Sequence, residues 1–289
     1  MMWDKKKFLF ETFITPFILY GYKVCGCSIS RESWRRIEQI QKCFIMYNLK
    51  IKSNIPYPIL LLESGLSPIE SIVMARYLMY KNKLNNMGDQ RLPKNVLKFS
   101  QDQLQLKRRW YKDATTWLNH WGIDKNSTFQ DINNIRIIIT YKFKEKMWDK
   151  KVLEFKIKLR YYKEVINPNL EVQNYLFVLT SSKEKINIVK LRTNSHELHS
   201  ETKHWTVLKI PWVETWTCHL CESSSVEDER HFLLDFPVYN HIRSQFHNLC
   251  YNATLCSLLT CQSYGDLGML LSKLFEHPNK NLQQSKQSS

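Results

Sequence analysis

Two thiols stand two residues apart, Cys218 and Cys221, and nine residues separate Cys221 from His231. Zn(II) accepts thiolate sulfur and imidazole nitrogen, and a two-residue gap lets two thiolates reach one ion from a single tight turn. A structural zinc site is normally closed by four protein ligands. At the expected fourth place, five residues past His231, the chain has Phe236, which has no electron pair to give. Asp235, His219 and His241 are the substitutes within reach, and Asp235 is nearest to that place. The spacing leaves three readings open: a zinc site closed by a substitute, a site weakened because three ligands forfeit much of the binding energy that zinc lends to folding, and a coincidence. Zinc at low occupancy is the cofactor this set implies.

A second constellation is cationic. Between Lys142 and Glu164 the basic residues are 142, 144, 146, 150, 151, 156, 158, 160 and 163, against acidic residues at 145, 149, 154 and 164. From Trp148 the apolar positions Val152, Phe155, Leu159, Tyr162 and Ile166 follow a heptad seam that Pro168 stops. A helix so built carries a strongly positive face, with Lys142, Lys144, Lys146, Lys150, Lys151, Lys156, Lys158 and Arg160 as candidate phosphate contacts. The whole chain has 42 Lys plus Arg against 27 Asp plus Glu, a net charge of +15. Such an excess points to a polyanion: RNA or DNA first, an acidic membrane face second. A merely solvated face is the plain alternative.

Aromatic residues between Trp110 and Tyr162 have the chemistry to stack bases, although Trp and Phe at this spacing more often form core. His196 and His199 lie near Glu197 and Glu201, types suited to acid–base or metal work, and a charged surface helix explains them equally well. The sequence has no pair of adjacent aspartates, no phosphate-cradling glycine loop and no nucleophile elbow. No catalytic centre is expected.

The elements that must position these groups are mostly helices, since the apolar spacing is helical and there are only seven glycines in 289 residues. Residues 33–49 place Trp34, Ile37, Ile40, Phe44 and Tyr47 on one stripe. The loop SNIPYP ends that helix, and SPIE starts the next with Ser67 as cap, Pro68 in the first turn and Glu70 reaching back. A third helix carries Leu106, Trp110, Trp117 and Trp121, and Gly122 ends it. The stretch 171–179 suits helix or strand, TVLKI reads as a short strand, and a last helix begins at Pro237. The tail PNKNLQQSKQSS has too little apolar content to bury and is expected to be disordered. No window holds the roughly 18 apolar residues of a membrane span, and the N-terminus lacks a secretory cleavage pattern. The expected setting is therefore intracellular, nucleus or cytoplasm, without a membrane partner. There the eight cysteines serve as core thiols or metal ligands rather than disulfides.

Three groups of stretches occur in order: FETFITPFILYGYKVCGCS with IEQIQKCFI and PILLLESGLSPIE, then KLRTNSHELHSE, then CHLCESSSVEDERHFLLDFPVYNHIR. Together, over about residues 8–250, they resemble the region downstream of the polymerase core in LINE-type (non-LTR) retrotransposon reverse transcriptases. The resemblance implies a mainly α chain: a thumb-like helical segment at 1–90, a basic helical connector at 91–205, a zinc-knuckle module with a short strand at 206–250, and an extension with a disordered tail at 251–289. The family's ligand set is Cys-Cys-His-Cys; Cys218, Cys221 and His231 match three of them and Phe236 departs at the fourth. ETKHW lacks the glycine-arginine usual in the family, and KIPWVETW lacks the basic residues that lead into its first cysteine. The palm with its catalytic aspartates and any endonuclease would lie upstream of Met1. The expected function is thus a non-catalytic C-terminal remnant that binds RNA or DNA. The alternatives are a co-opted protein-interaction module, its partner unspecified, and a pseudogene product without selected function.

Overall fold

The helical spacing is carried into the backbone. In the computed structural model, every regular element among the described residues is an α-helix or a short 3-10 or π turn. The structure describes residues 2–52, 54–102, 109–123, 132–149, 161–196, 218 and 228–287. In chain order the α-helices are α1 (Trp3–Leu9), α2 (Thr15–Ile18), α3 (Tyr22–Cys25), α4 (Arg31–Leu49), α5 (Tyr57–Ser64), α6 (Ile69–Asn85), α7 (Leu92–Asp102), α8 (Arg109–His120), α9 (Ile132–Met147), α10 (Tyr175–Val178), α11 (Ser182–Arg192), α12 (Asn240–Arg243), α13 (His247–Cys250), α14 (Leu255–Leu259) and α15 (Tyr264–Gln287). The TVLKI stretch and most of the heptad seam lie outside the described residues. Contacts divide the chain into two units, residues 3–45 with 65–156, and residues 46–64 with 157–289.

In the first unit, α1 runs into α2 through a π turn at Phe10–Ile14, where Thr15 N–H reaches the Phe10 carbonyl. Trp3, Phe10, Thr15 and Leu19 turn inward. The rings of Trp3 and Phe10 meet Phe44 of α4 at centroid distances of 6.1 and 4.4 Å. The buried row of α4 is Trp34, Ile37, Gln41, Ile45 and Leu49, not the expected row through Ile40 and Tyr47, which face outward. A polar residue fits on the inner row because the Gln41 amide donates to the Ser67 carbonyl at 3.0 Å. The start of α6 also differs from the expected capping box. Its cap position is Pro68, with no side-chain cap bond, and Glu70 is drawn inward instead. Helices α6 and α9 pack together, with Val73, Tyr77, Ile135, Ile139 and Phe143 in the core. Gly26 allows the chain to pass under α6, since a Cβ there would lie 2.5 Å from Val73 Cγ1. Gly122 adopts the expected left-handed conformation, φ 64°, and Ile123 N–H closes back on the Leu118 carbonyl at 3.0 Å, as a helix-ending turn requires.

In the second unit, α5 is buried along most of its length, from Ile59 to Ser64. Helix α11 lies along α15, contributing Ile188 and Val189 against the inner row Leu267, Leu270, Leu271 and Leu274. Gly268 permits the close approach, because a Cβ there would lie 2.8 Å from Glu184 Cβ. The ambiguous stretch before Leu179 resolves to one helical turn, α10, with Tyr175 and Leu176 buried. The expected helix from Pro237 is broken into 3-10 and α turns through Cys250. The inner row of α15 runs to Leu274, and the helix backbone, expected to be disordered from Pro278, continues to Gln287. Among the described residues no single helix is long and apolar enough to cross a membrane.

Candidate functional site

The turn that was expected to close a metal site closes on itself instead. Residues His231–Asp235 form a π turn, and Phe236 N–H bonds the His231 carbonyl at 2.8 Å, which brings residue 236 back beside residue 231. The His231 and Phe236 rings meet at 5.5 Å between centroids and 60° between planes. Phe236 then packs on Tyr239 at 4.7 Å, and Phe232 stacks on Phe275 at 5.0 Å. The Arg243 guanidinium donates to the Leu233 and Phe236 carbonyls and to Asn240 Oδ1. This is an aromatic core pinned by an arginine.

The zinc expectation is corrected here. Among the described residues no group of three or more His, Cys, Asp or Glu side chains is placed to hold a metal ion. The physical reason is that an apolar ring packs on the imidazole. Asp235, the nearest substitute, faces outward and pairs with Arg230 at 3.4 Å, and His241 Nδ1 lies 2.9 Å from the Val238 carbonyl. Cys218 is buried; Cys221 and His219 lie outside the described residues.

Of the cationic set, Lys142, Lys144 and Lys146 fall on α9, and Lys150, Lys151, Lys156, Lys158 and Arg160 lie outside the described residues. Lys142 pairs with Glu145 at 3.3 Å. Lys146 donates to the His120 carbonyl and lies 4.7 Å from the Trp121 ring centre. Burial, and then Arg31, lowers its pKa. It packs as part of the fold more than as an outward phosphate contact. Of the aromatic residues with the chemistry to stack bases, Trp117, Trp121, Phe143, Trp148 and Tyr162 are buried, and Tyr141 on α9 is 64% exposed. The Trp117 and Trp121 indoles serve one buried carboxylate, Glu70, expected as a helix-capping residue, and the Tyr162 phenol serves another, Glu63.

The first is Glu70. Both indole N–H groups, of Trp117 at 2.7 Å and Trp121 at 2.8 Å, donate to its Oε1, and the 57% exposed Arg31 lies 3.4 Å from its Oε2. A cleft of about 700 Å³ opens over this group, lined by Arg31, Trp34, Glu70, Asp113, Trp117 and His120 among others. Cys27 also lines it, but burial pushes its thiol up to about 11, so it is not a nucleophile at neutral pH.

The second is Glu63, fully buried at 0% exposure. Tyr162 donates to Oε1 and Tyr175 to Oε2, and Arg192 Nε donates to Oε1 at 3.1 Å. Arg192 also donates to the Leu259 carbonyl. With its donors already in place, this carboxylate is a structural anchor and not an open base. The sequence signal was present: Glu63 interrupts the apolar run PILLLES, and a charge inside such a run must find partners. His196 is likewise interior, 2.9 Å from Glu229 Oε1, while His199 and Glu197 lie outside the described residues.

Comparison of the chain with protein-family models, with curated proteins and with solved structures finds no match.

Proposed function

We propose that the protein is a non-catalytic, single-strand nucleic-acid-binding module, akin to the region downstream of the polymerase core in LINE-type reverse transcriptases. The observation that carries this reading is the net charge of +15, about twice the upper end of the roughly 2–8 that keeps a small domain in solution and of the sign that a phosphate backbone attracts. The ionisable groups with the most developed surroundings, Glu63 and Glu70, hold the fold together, which agrees with a binding role over a catalytic one.

Filter binding to single-stranded RNA across a salt series tests it. Affinity falls steeply between low and physiological salt, with log K linear in log salt and a slope of about 0.7 per phosphate neutralised on a single strand. A dissociation constant that does not move with salt rejects the reading.

A further inference from the structure

The N-terminal helices carry an apolar face that the fold leaves open. Opposite the inward row of Trp3, Phe10, Thr15 and Leu19, the rings of Phe8, Phe13, Phe17 and Tyr20 are 63%, 64%, 86% and 89% exposed. Leu9, Ile14 and Val24 are also exposed on these N-terminal helices. Four uncovered rings within 13 residues are more than scattered surface apolar residues explain. The π turn at Phe10–Ile14 matters to this arrangement, because its extra residue carries the outward set from Phe8 and Leu9 on to Phe13 and Phe17.

Charge decides what covers such a face. A second copy of the chain brings a second +15 and is repelled. A polyanion is attracted, and a single-stranded nucleic acid is the polyanion that also offers flat apolar faces to rings. Lys5 and Lys23 are exposed on the same segment, whose carboxylates are Asp4 and Glu11; Arg35 and Arg36 are exposed on α4, where they share Glu32 at 3.7 and 3.4 Å. Phe13 and Phe17 are one helical turn apart, about 6 Å of rise, a spacing that a strand with splayed bases can follow.

We infer that Phe13, Phe17 and Tyr20 form a stacking platform for successive bases of a single strand. The inference rests on the nucleic-acid reading above and adds to it the surface and the mode of contact.

The test compares the full chain with a Phe13→Ala, Phe17→Ala, Tyr20→Ala triple variant. The probes are a short oligo(U) RNA and an abasic strand of equal length. The three rings are exposed, so the variant keeps the parent's melting temperature. Its affinity for oligo(U) falls roughly tenfold or more, as loss of base–aromatic stacking predicts. Its affinity for the abasic strand and the slope of its salt dependence stay as in the parent, because no phosphate contact is removed. A Phe17→Tyr, Tyr20→Phe variant, which keeps both rings, binds like the parent. Equal binding of oligo(U) by the parent and the triple variant overturns the platform and leaves the nucleic-acid reading intact. So does a parent dimer in sedimentation, or parent binding to phosphatidylserine vesicles, that the triple variant abolishes while RNA affinity holds. A parent that binds neither strand overturns both readings.

Discussion

The imidazole of His231 and the phenyl ring of Phe236 lie 5.5 Å apart, centroid to centroid, held there by the π-turn bond from Phe236 N–H to the His231 carbonyl. A contact of this kind works through packing. Phe236→Ala removes a buried ring and costs about 3–5 kcal/mol of stability in urea unfolding, whereas Phe236→Leu costs less because more of the volume is kept. A strong zinc chelator leaves the melting temperature of the parent unchanged. A drop on chelation would show that a metal, and not the ring, organises this turn.

Glu63 and Arg192 form a buried ion pair, and replacing one member leaves the other charge unpaired. Glu63→Gln therefore lowers stability by about 3–5 kcal/mol, measured by chemical denaturation at pH 7. A loss below 1 kcal/mol would mean that the pair is open to water.

The same cluster sets an alkaline limit. Burial, and next the Glu63 carboxylate, holds the Tyr162 and Tyr175 phenols well above their ordinary pKa of 10. The folded state thus retains these protons more tightly than the unfolded chain does. Their contribution is fully present below about pH 10 and declines as pH rises from there towards the folded values. Unfolding free energy is flat with respect to these groups up to about pH 10 and then falls, and Tyr175→Phe makes the fall shallower. An identical alkaline slope in the variant would contradict this assignment.

Glu70 separates a hydrogen-bonding role from a charge role. Glu70→Gln keeps a carbonyl oxygen for the Trp117 and Trp121 indoles but gives up the charge assistance of both bonds and the attraction of the exposed Arg31, so it costs about 1–2 kcal/mol. Glu70→Leu leaves two indole N–H groups without an acceptor, at about 1–3 kcal/mol each. Tryptophan fluorescence during unfolding reports both. Equal losses in the two variants would show that charge, not acceptance, is what Glu70 provides.

Local features were legible where they depend on neighbours in the chain. The amphipathic α4, the left-handed Gly122 and the largely helical character follow from spacing and backbone preference, and the charge excess follows from counting. Whether an apolar or polar side chain turns inward depends on what arrives from elsewhere. Gln41 could join the inner row only because the Ser67 carbonyl meets it. Glu70 left its capping role for two indoles 47 and 51 residues away.

The sequence by itself determined that this is a helical, strongly basic chain with a phenylalanine where a fourth metal ligand would stand. Only the tertiary structure decided that Trp117 and Trp121 lie inside, that Phe8, Phe13 and Phe17 lie outside while Phe10 turns inward, and that Phe236 packs on His231 beside no metal ligand group among the described residues. The reason is physical: spacing fixes which residues share a face of a helix, but burial is fixed by the partner that covers that face, and that partner is distant in the chain.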